Sequence, residues 1–220
     1  MESYVFSFYL TYILLLTTAT ITFIEALRTK IVAVQHIMNL ETCISLVAGY
    51  FYSLFNDKII TYYANKKPII WKEITQFRYI DWAITTPIML LVLSLVLSFN
   101  SKTKIRLHWF LVSIFFNYVM LYTGYLGETG KLERMMSQIL GFIAFSITFG
   151  VIFIQYLLPR FNFDNMIIFW SFVIVWALYG VAFNFTELNK NITYNYLDLI
   201  TKCFIGIGLW IYYIKIIKFA

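Results

Sequence analysis

The chain repeats one feature almost end to end: apolar runs of about 20 residues, separated by short polar connections. A helix rising about 1.5 Å per residue crosses the roughly 30 Å hydrocarbon core of a bilayer in about 20 residues. Inside that core every backbone N–H and C=O must be paired within the protein, which a helix does unaided. The runs cover residues 4–26, 32–55, 74–98, 107–126, 134–158, 166–185 and 194–217. They predict an all-α membrane protein, a seven-transmembrane-helix bundle forming one domain over residues 1–220. A soluble domain is excluded, because 61% of the residues are hydrophobic, 13% are charged and the mean hydropathy is +0.76. The first run is too long for a signal-peptide core and lacks a basic leader, so it reads as the first span.

The connections are RTK at 28–30, NDKIITYYANKKPIIWKE at 56–73, NSKTKIR at 100–106, GETGKLE at 127–133, PRFNFDN at 159–165 and ELNKNIT at 187–193. Alternate connections put Arg28, Lys30, Lys102, Lys104, Arg106, Arg160, Lys215 and Lys218 on one side. Lys58, Lys66, Lys67, Lys72, Lys131, Arg134 and Lys190 fall on the other. Lys and Arg concentrate on the cytoplasmic side. The small excess therefore places the N-terminus extracellular and the C-terminus cytoplasmic. The net charge of +6 calls for no nucleic-acid partner, since basic loops facing anionic membrane lipid account for it. Cys43 and Cys203 lie inside apolar runs, and neither a disulfide framework nor a metal-ligand spacing is visible.

Against this background Lys202 stands out, near the middle of YNYLDLITKCFIGIGLWIYYIKII. A basic residue at the bilayer centre costs from roughly 2.5 to more than 10 kcal/mol, which makes it a functional hypothesis with a partner to be found. Asp198 precedes it by one helical turn on the same face, and Asp81 lies in the third run. A desolvated lysine among carboxylates can attack a carbonyl and hold an aldehyde cofactor as a Schiff base. A buried ion pair locking two helices is the other reading, and this segment alone leaves both open. In the third run Arg78, Asp81, Trp82, Thr85, Thr86 and Pro87 cluster within FRYIDWAITTPIMLLVLSLVL, with Asp81 and Thr85 on one face and Arg78 about one turn toward the outer end.

Here the sequence resembles the microbial (type 1) rhodopsins. RYIDWAITTP is similar to their third-helix motif, LDLITK to their seventh-helix retinal-lysine motif, and WALYG to the aromatic wall of their retinal pocket. The three occur in the family's order, in the third, sixth and seventh runs. Small size, short connections and residue usage look most like the rhodopsins of large algal and protist viruses. The resemblance implies all-trans retinal joined to Lys202, with Asp81 and Asp198 as paired counter-ions and Asp81 as proton acceptor. It implies that Arg78 tunes the pair from the outer side and that Thr85 and Thr86 belong to the hydrogen-bond network of Asp81 and the fourth helix. It implies a pocket drawn from Trp82, Thr86, Met89, Gly124, Trp176, Tyr179 and Phe183, with Gly141 and Phe145 as fifth-helix candidates. Tyr50 and Tyr52 both remain candidates for a hydroxyl near Arg78.

The chain departs from the family pattern at several positions. Pumping members carry an internal proton-donating acid about three turns inward of the counter-ion, where this sequence has Val92. The proline after the sixth-helix tyrosine is replaced by Gly180, and Met89 stands where some members tune colour, with a lean to green absorption. Asn117 falls near a position that couples to Thr86 in channel-type members.

The first two runs are unusually polar. At 100° per residue Ser7, Thr11, Thr18 and Glu25 form one stripe, with Thr22 slightly off it. In the second run Gln35, Asn39 and Thr42 share a face, with Glu41 and Ser45 on an adjacent one. Isolated Ser and Thr commonly bond back to their own helix, but an unpaired buried carboxylate such as Glu41 demands a proton or hydration. A hydrated seam through Ser7, Thr11, Glu41, Asn117 and Asn195 would be a cation pathway, with Glu41 and Asn195 as constrictions. His36 reads as an interfacial residue, and Glu187 as either part of an outer proton-release or gating group or a solvated loop carboxylate.

The functional reading that follows is a light-gated cation channel, not an enzyme, with light-driven deprotonation of the Schiff base toward Asp81. An outward light-driven proton pump is the alternative, weakened by Val92. A sensory rhodopsin with a separate transducer and a non-photochemical seven-helix transporter are the remaining readings. The partners implied are membrane lipid and permeant cations or protons, and a homo-oligomer stays open. The setting is a multi-pass protein of the plasma membrane or another host-cell membrane.

Overall fold

The structure, a computed structural model, describes residues 2–65 and 67–213. Lys66, Lys215, Lys218 and the end of the seventh run at 214–217 lie outside the described residues. Seven helical rods account for the fold among those described. They are α1 Ser3–Arg28, α2 Val32–Ala64, α3 Trp71–Ser101, α4 Leu107–Glu128, α5 Arg134–Ile152 with a π-helical continuation Phe153–Leu157, and α6 Phe163–Ala182. The seventh runs through α7 Glu187–Asp198, a π-helical turn Leu199–Phe204, and α8 Ile205–Ile211 without leaving helical backbone angles. The first six rods are long and apolar enough to cross a membrane.

Two connections expected from the sequence are largely helical. Residues 56–64 extend α2, and ELNKNIT at 187–193 forms the first turns of α7. The reason is that hydropathy marks where a segment leaves the apolar layer, whereas a helix ends only where a cap or a backbone break ends it. Such breaks are visible after α3 and α4. Lys102, at φ 53°, ends α3 with Thr103 N donating to Ser98 O at 3.0 Å and Lys102 N to Phe99 O at 3.2 Å. Gly130, at φ 74°, ends α4 in the same way, through Lys131 N to Leu126 O at 2.9 Å and Gly130 N to Gly127 O at 3.2 Å. Both are Schellman closures, a conformation that suits glycine and strains lysine. Pro87 lies inside α3.

The chain divides into two compact units, residues 1–81 with 181–220 and residues 82–180. In the first, Phe8, Leu15, Ala48, Phe51, Tyr52, Phe55, Ile59, Ile74 and Cys203 form one buried apolar cluster. In the second, the Phe149 ring packs edge-on against Trp176 at 5.4 Å and Phe169 at 6.0 Å between centroids. At the α3 C-terminus in this unit the fully buried Asn165 donates to Leu97 O at 3.0 Å and Ser101 Oγ at 2.7 Å and accepts from Asn100 at 2.9 Å, tying α6 to the last turns of α3.

Candidate functional site

The last rod of the first unit carries Asn191, Asn195, Asp198 and Lys202, spaced i, i+4, i+7 and i+11 and all buried. That spacing puts them on one stripe. Lys202 sits within the π-helical turn Leu199–Phe204. Such single wide turns recur at functional positions because they rotate one segment of a helix relative to the next.

Lys202 Nζ donates to Asp81 Oδ2 at 2.7 Å and lies 3.5 Å from Asp198 Oδ1. Lys202 and both aspartates are essentially without solvent exposure. Asp198 Oδ2 lies 3.5 Å from Arg78 Nη1 and accepts from the Tyr52 hydroxyl at 2.8 Å. That hydroxyl in turn accepts from Arg78 Nη1 at 3.1 Å, and Asn195 Oδ1 lies 3.1 Å from it. Arg78 Nε donates to Asn191 Oδ1 at 3.1 Å, and Nη2 donates to Asn191 O at 3.4 Å and to Asn195 Oδ1. Two cations and two carboxylates thus balance, and each is hydrogen-bonded as well as paired, the condition under which buried charge is tolerated. Arg78 is further enclosed by aromatic rings, its guanidinium carbon lying 5.0 Å from the Phe55 centroid, 5.2 Å from Phe8, 5.5 Å from Tyr52 and 5.8 Å from Tyr194. Cation–π attraction is strongest in such desolvated settings.

The α1 side of this cluster is also hydrogen-bonded. Asn195 Nδ2 donates to Ser7 Oγ at 2.8 Å, and Thr11 Oγ1 lies 3.2 Å from Asn195 O as well as 2.9 Å from its own Ser7 O. Glu41 lies apart from it. Its Oε2 would stand 2.9 Å from a Cβ added at Gly206, one turn beyond Lys202, with Thr18 Cγ2 at 3.2 Å from the same point. Thr22 and Thr42 share a hydrogen bond of 2.8 Å, and Trp210 Nε1 donates to Glu25 Oε2 at 2.8 Å.

In the second unit Thr85 is fully buried, and Thr86, Trp82, Met89 and Trp176 are nearly so. Trp82 and Tyr179 meet edge to face at 5.4 Å. Asn117 Nδ2 donates to Thr86 Oγ1 at 2.8 Å, which itself donates to Trp82 O at 2.7 Å. Gly124 and Gly141 are half-buried, and Phe145 packs on Phe149 at 4.9 Å. Phe183, in the first unit, is buried. Gly180 faces the Phe142 ring so closely that a Cβ there would lie 2.7 Å from its Cζ, and its carbonyl accepts from Gln138 at 2.8 Å.

The structure decides one choice the sequence left open and corrects other expectations. Of the two tyrosine candidates, Tyr52 meets Arg78, while Tyr50 is 61% exposed on the opposite face. Asn39 is exposed and Gln35 half-buried, donating to Ala26 O at 3.2 Å, so the Gln35 and Asn39 face is not part of a buried seam. The face centred on Glu41, Thr42 and Ser45 is the buried one, because it packs against other helices of its unit. Glu187 is no loop carboxylate. It opens α7 and accepts from the buried Lys190 at 2.7 Å. Sequence reasoning missed Asn191 and the enclosing rings of Phe8, Phe55 and Tyr194, although the 191, 195, 198, 202 spacing was a usable signal for the first.

Chemically, a buried lysine nitrogen held between two carboxylates suits an aldehyde joined at Nζ. A protonated imine keeps the same positive charge on the same atom, so the compensation already built remains valid. The family described as Bacteriorhodopsin-like protein matches residues 3–216. Among solved structures, viral rhodopsin OLPVRII is 45% identical, with 98% of this chain and 99% of that one covered and a TM-score of 0.90. A blue light-absorbing proteorhodopsin from Med12 is 25% identical over 95% of this chain and 96% of that one, with a TM-score of 0.74. A green-light absorbing proteorhodopsin of Gamma-proteobacterium EBAC31A08 is 27% identical over 152 residues, 62% of this chain. That match spans 60% of the relative's own length, under two thirds.

Proposed function

Since the chain belongs to the bacteriorhodopsin-like family, whose members bind retinal through a Schiff base to a lysine, we propose that Lys202 carries all-trans retinal and that the protein is a light-gated cation channel. Retinal, when bound, supplies visible absorption and a light-driven isomerisation. Lys202 Nζ holds the proton in the dark, and Asp81 Oδ2, at 2.7 Å, is the acceptor it reaches first. Asp198 is held instead by Arg78 and the Tyr52 hydroxyl, which leaves Asp81 as the carboxylate in direct contact with Nζ. Moving one proton to Asp81 removes the charge contact that draws α3 and the last rod together at this point, and loosens the adjoining network.

The observation that supports conduction is the buried polar line of the first unit. Ser7, Thr11, Thr18 and Thr22 along α1 all have 0% exposure, and Ser45, Glu41 and Asn195 add to it from α2 and α7. Ser45 Oγ has no hydrogen-bond partner in the protein, as a site that takes up water would have. The line is closed at Ser7, Asn195, Tyr52 and Arg78 by the hydrogen bonds described above, so opening requires their exchange for water.

The outward pump is kept as a second reading because the Lys202 to Asp81 contact is direct. Against it stands Val92, aliphatic and with 0% exposure, where pumping members carry a donor acid. The deciding experiment is whole-cell photocurrent, with retinal supplied, across a series of holding voltages. Currents that reverse near the equilibrium potential of a permeant cation fit the channel. Currents outward at every voltage refute it in favour of the pump.

A further inference from the structure

Tyr52 of α2 and Arg78 of α3 touch at 3.1 Å, which fixes the facing surfaces of these two helices. One turn further toward the end where Lys58 and Glu73 pair at 2.7 Å, the same surfaces present Asn56, four residues after Tyr52, and Thr75, three residues before Arg78. Both are buried, at 6% and 4% exposure, inside a shell that includes Phe55, Ile59 and Ile74 with no more than 2%. Neither amide atom of Asn56 has a hydrogen-bond partner in the protein, and neither does Thr75 Oγ1.

Three orphaned polar atoms at one level of an otherwise apolar shell are costly, at roughly 1–3 kcal/mol for each group left unpaired. Buried polar groups in folded proteins are matched by protein or by ordered water. An asparagine amide offers two donors and an acceptor group, and a threonine hydroxyl offers one donor and two lone pairs. Together they provide the two to four partners that a buried water requires. The neighbouring cationic Arg78 disfavours a metal or alkali cation at this position and favours a neutral ligand. We propose that Asn56 and Thr75 form a water-binding site between α2 and α3 that extends the Tyr52 and Arg78 network by one turn. The bound water gives protons leaving the Lys202 region a polar station where the surrounding shell is apolar.

The first test needs no retinal and no variant. A crystal structure of the full chain at a resolution that shows waters should carry ordered density within about 3.2 Å of both Asn56 and Thr75. Direct pairing of the two side chains with each other, or no density between them, overturns the site. The second test uses the near-isosteric double variant Asn56→Leu with Thr75→Val. Expected are an unchanged visible band and a photocurrent or proton-release rise slowed about tenfold, the effect of one lost hydrogen bond on a barrier. Normal kinetics with a normal band overturn the station. Should the native pigment show no visible band, the retinal assignment fails, and the crystallographic result still decides the water site by itself.

Discussion

Replacing Tyr52 by Phe tests whether the charged cluster is held by tertiary hydrogen bonds or merely collected by membrane burial. The ring, packed against Phe55 at 5.2 Å and Phe8 at 6.0 Å, stays in place, so the change removes one oxygen and opens almost no cavity. Lost are the bond accepted from Arg78 at 3.1 Å and the bond donated to Asp198 at 2.8 Å. Hydrogen bonds to charged groups contribute about 1.5–3 kcal/mol each. Asp198 keeps its 3.5 Å contacts with Arg78 and Lys202, and Arg78 keeps Asn191 and Asn195, which offsets part of the loss. A net cost of roughly 2–4 kcal/mol follows, and at about 2–4 °C per kcal/mol for a chain of this size the melting temperature should fall by about 5–15 °C. The assay is thermal unfolding of the purified protein in detergent, with Tyr50→Phe as the matched control on the 61% exposed face. If the two variants melt together, the Tyr52 hydroxyl does not hold the cluster, and Arg78 is anchored without it.

Four further outcomes are expected. Lys202→Ala should abolish the visible band that forms with retinal, and a surviving band would refute the attachment site. Glu41→Gln should change photocurrent amplitude more than band position, since Glu41 lies against Gly206 and Thr18, outside the carboxylate pair at Lys202; unaltered permeation would remove Glu41 from the path. Gly206→Val should cost about 1–3 kcal/mol by crowding Glu41 Oε2, 2.9 Å from the added carbon, and the cost should shrink when Glu41→Ala is combined with it, as a double-mutant cycle would read. Asn165→Leu should strip the clasp on Leu97 O and Ser101, costing about 1–3 kcal/mol and raising amide exchange at the end of α3; unchanged exchange there would refute the clasp.

Much of this protein is legible one residue at a time. Twenty-residue apolar runs leave a chain few choices other than spanning helices, and an intramembrane Lys202, Asp81 or Asp198 is conspicuous because charge is expensive there. Those are properties of local composition and transfer energy, and they need no partner to be read. Partnership is another matter. Whether Tyr50 or Tyr52 meets Arg78 turns on which face of α2 points toward α3 and α7, residues 26 and 113 positions apart in the chain for the contacts that decide it. Asn39 is the cheaper of the two to bury, yet packing exposes it and buries Glu41. Helix ends likewise escaped hydropathy, because ELNKNIT is polar and still helical, with Lys190 and Asn191 buried by contacts no local pattern encodes. The sequence by itself therefore determined the spans and singled out the charged side chains within them, through the cost of polarity in an apolar layer. Only the tertiary structure decided which of those side chains share a hydrogen bond, because that depends on helix rotation and long-range packing.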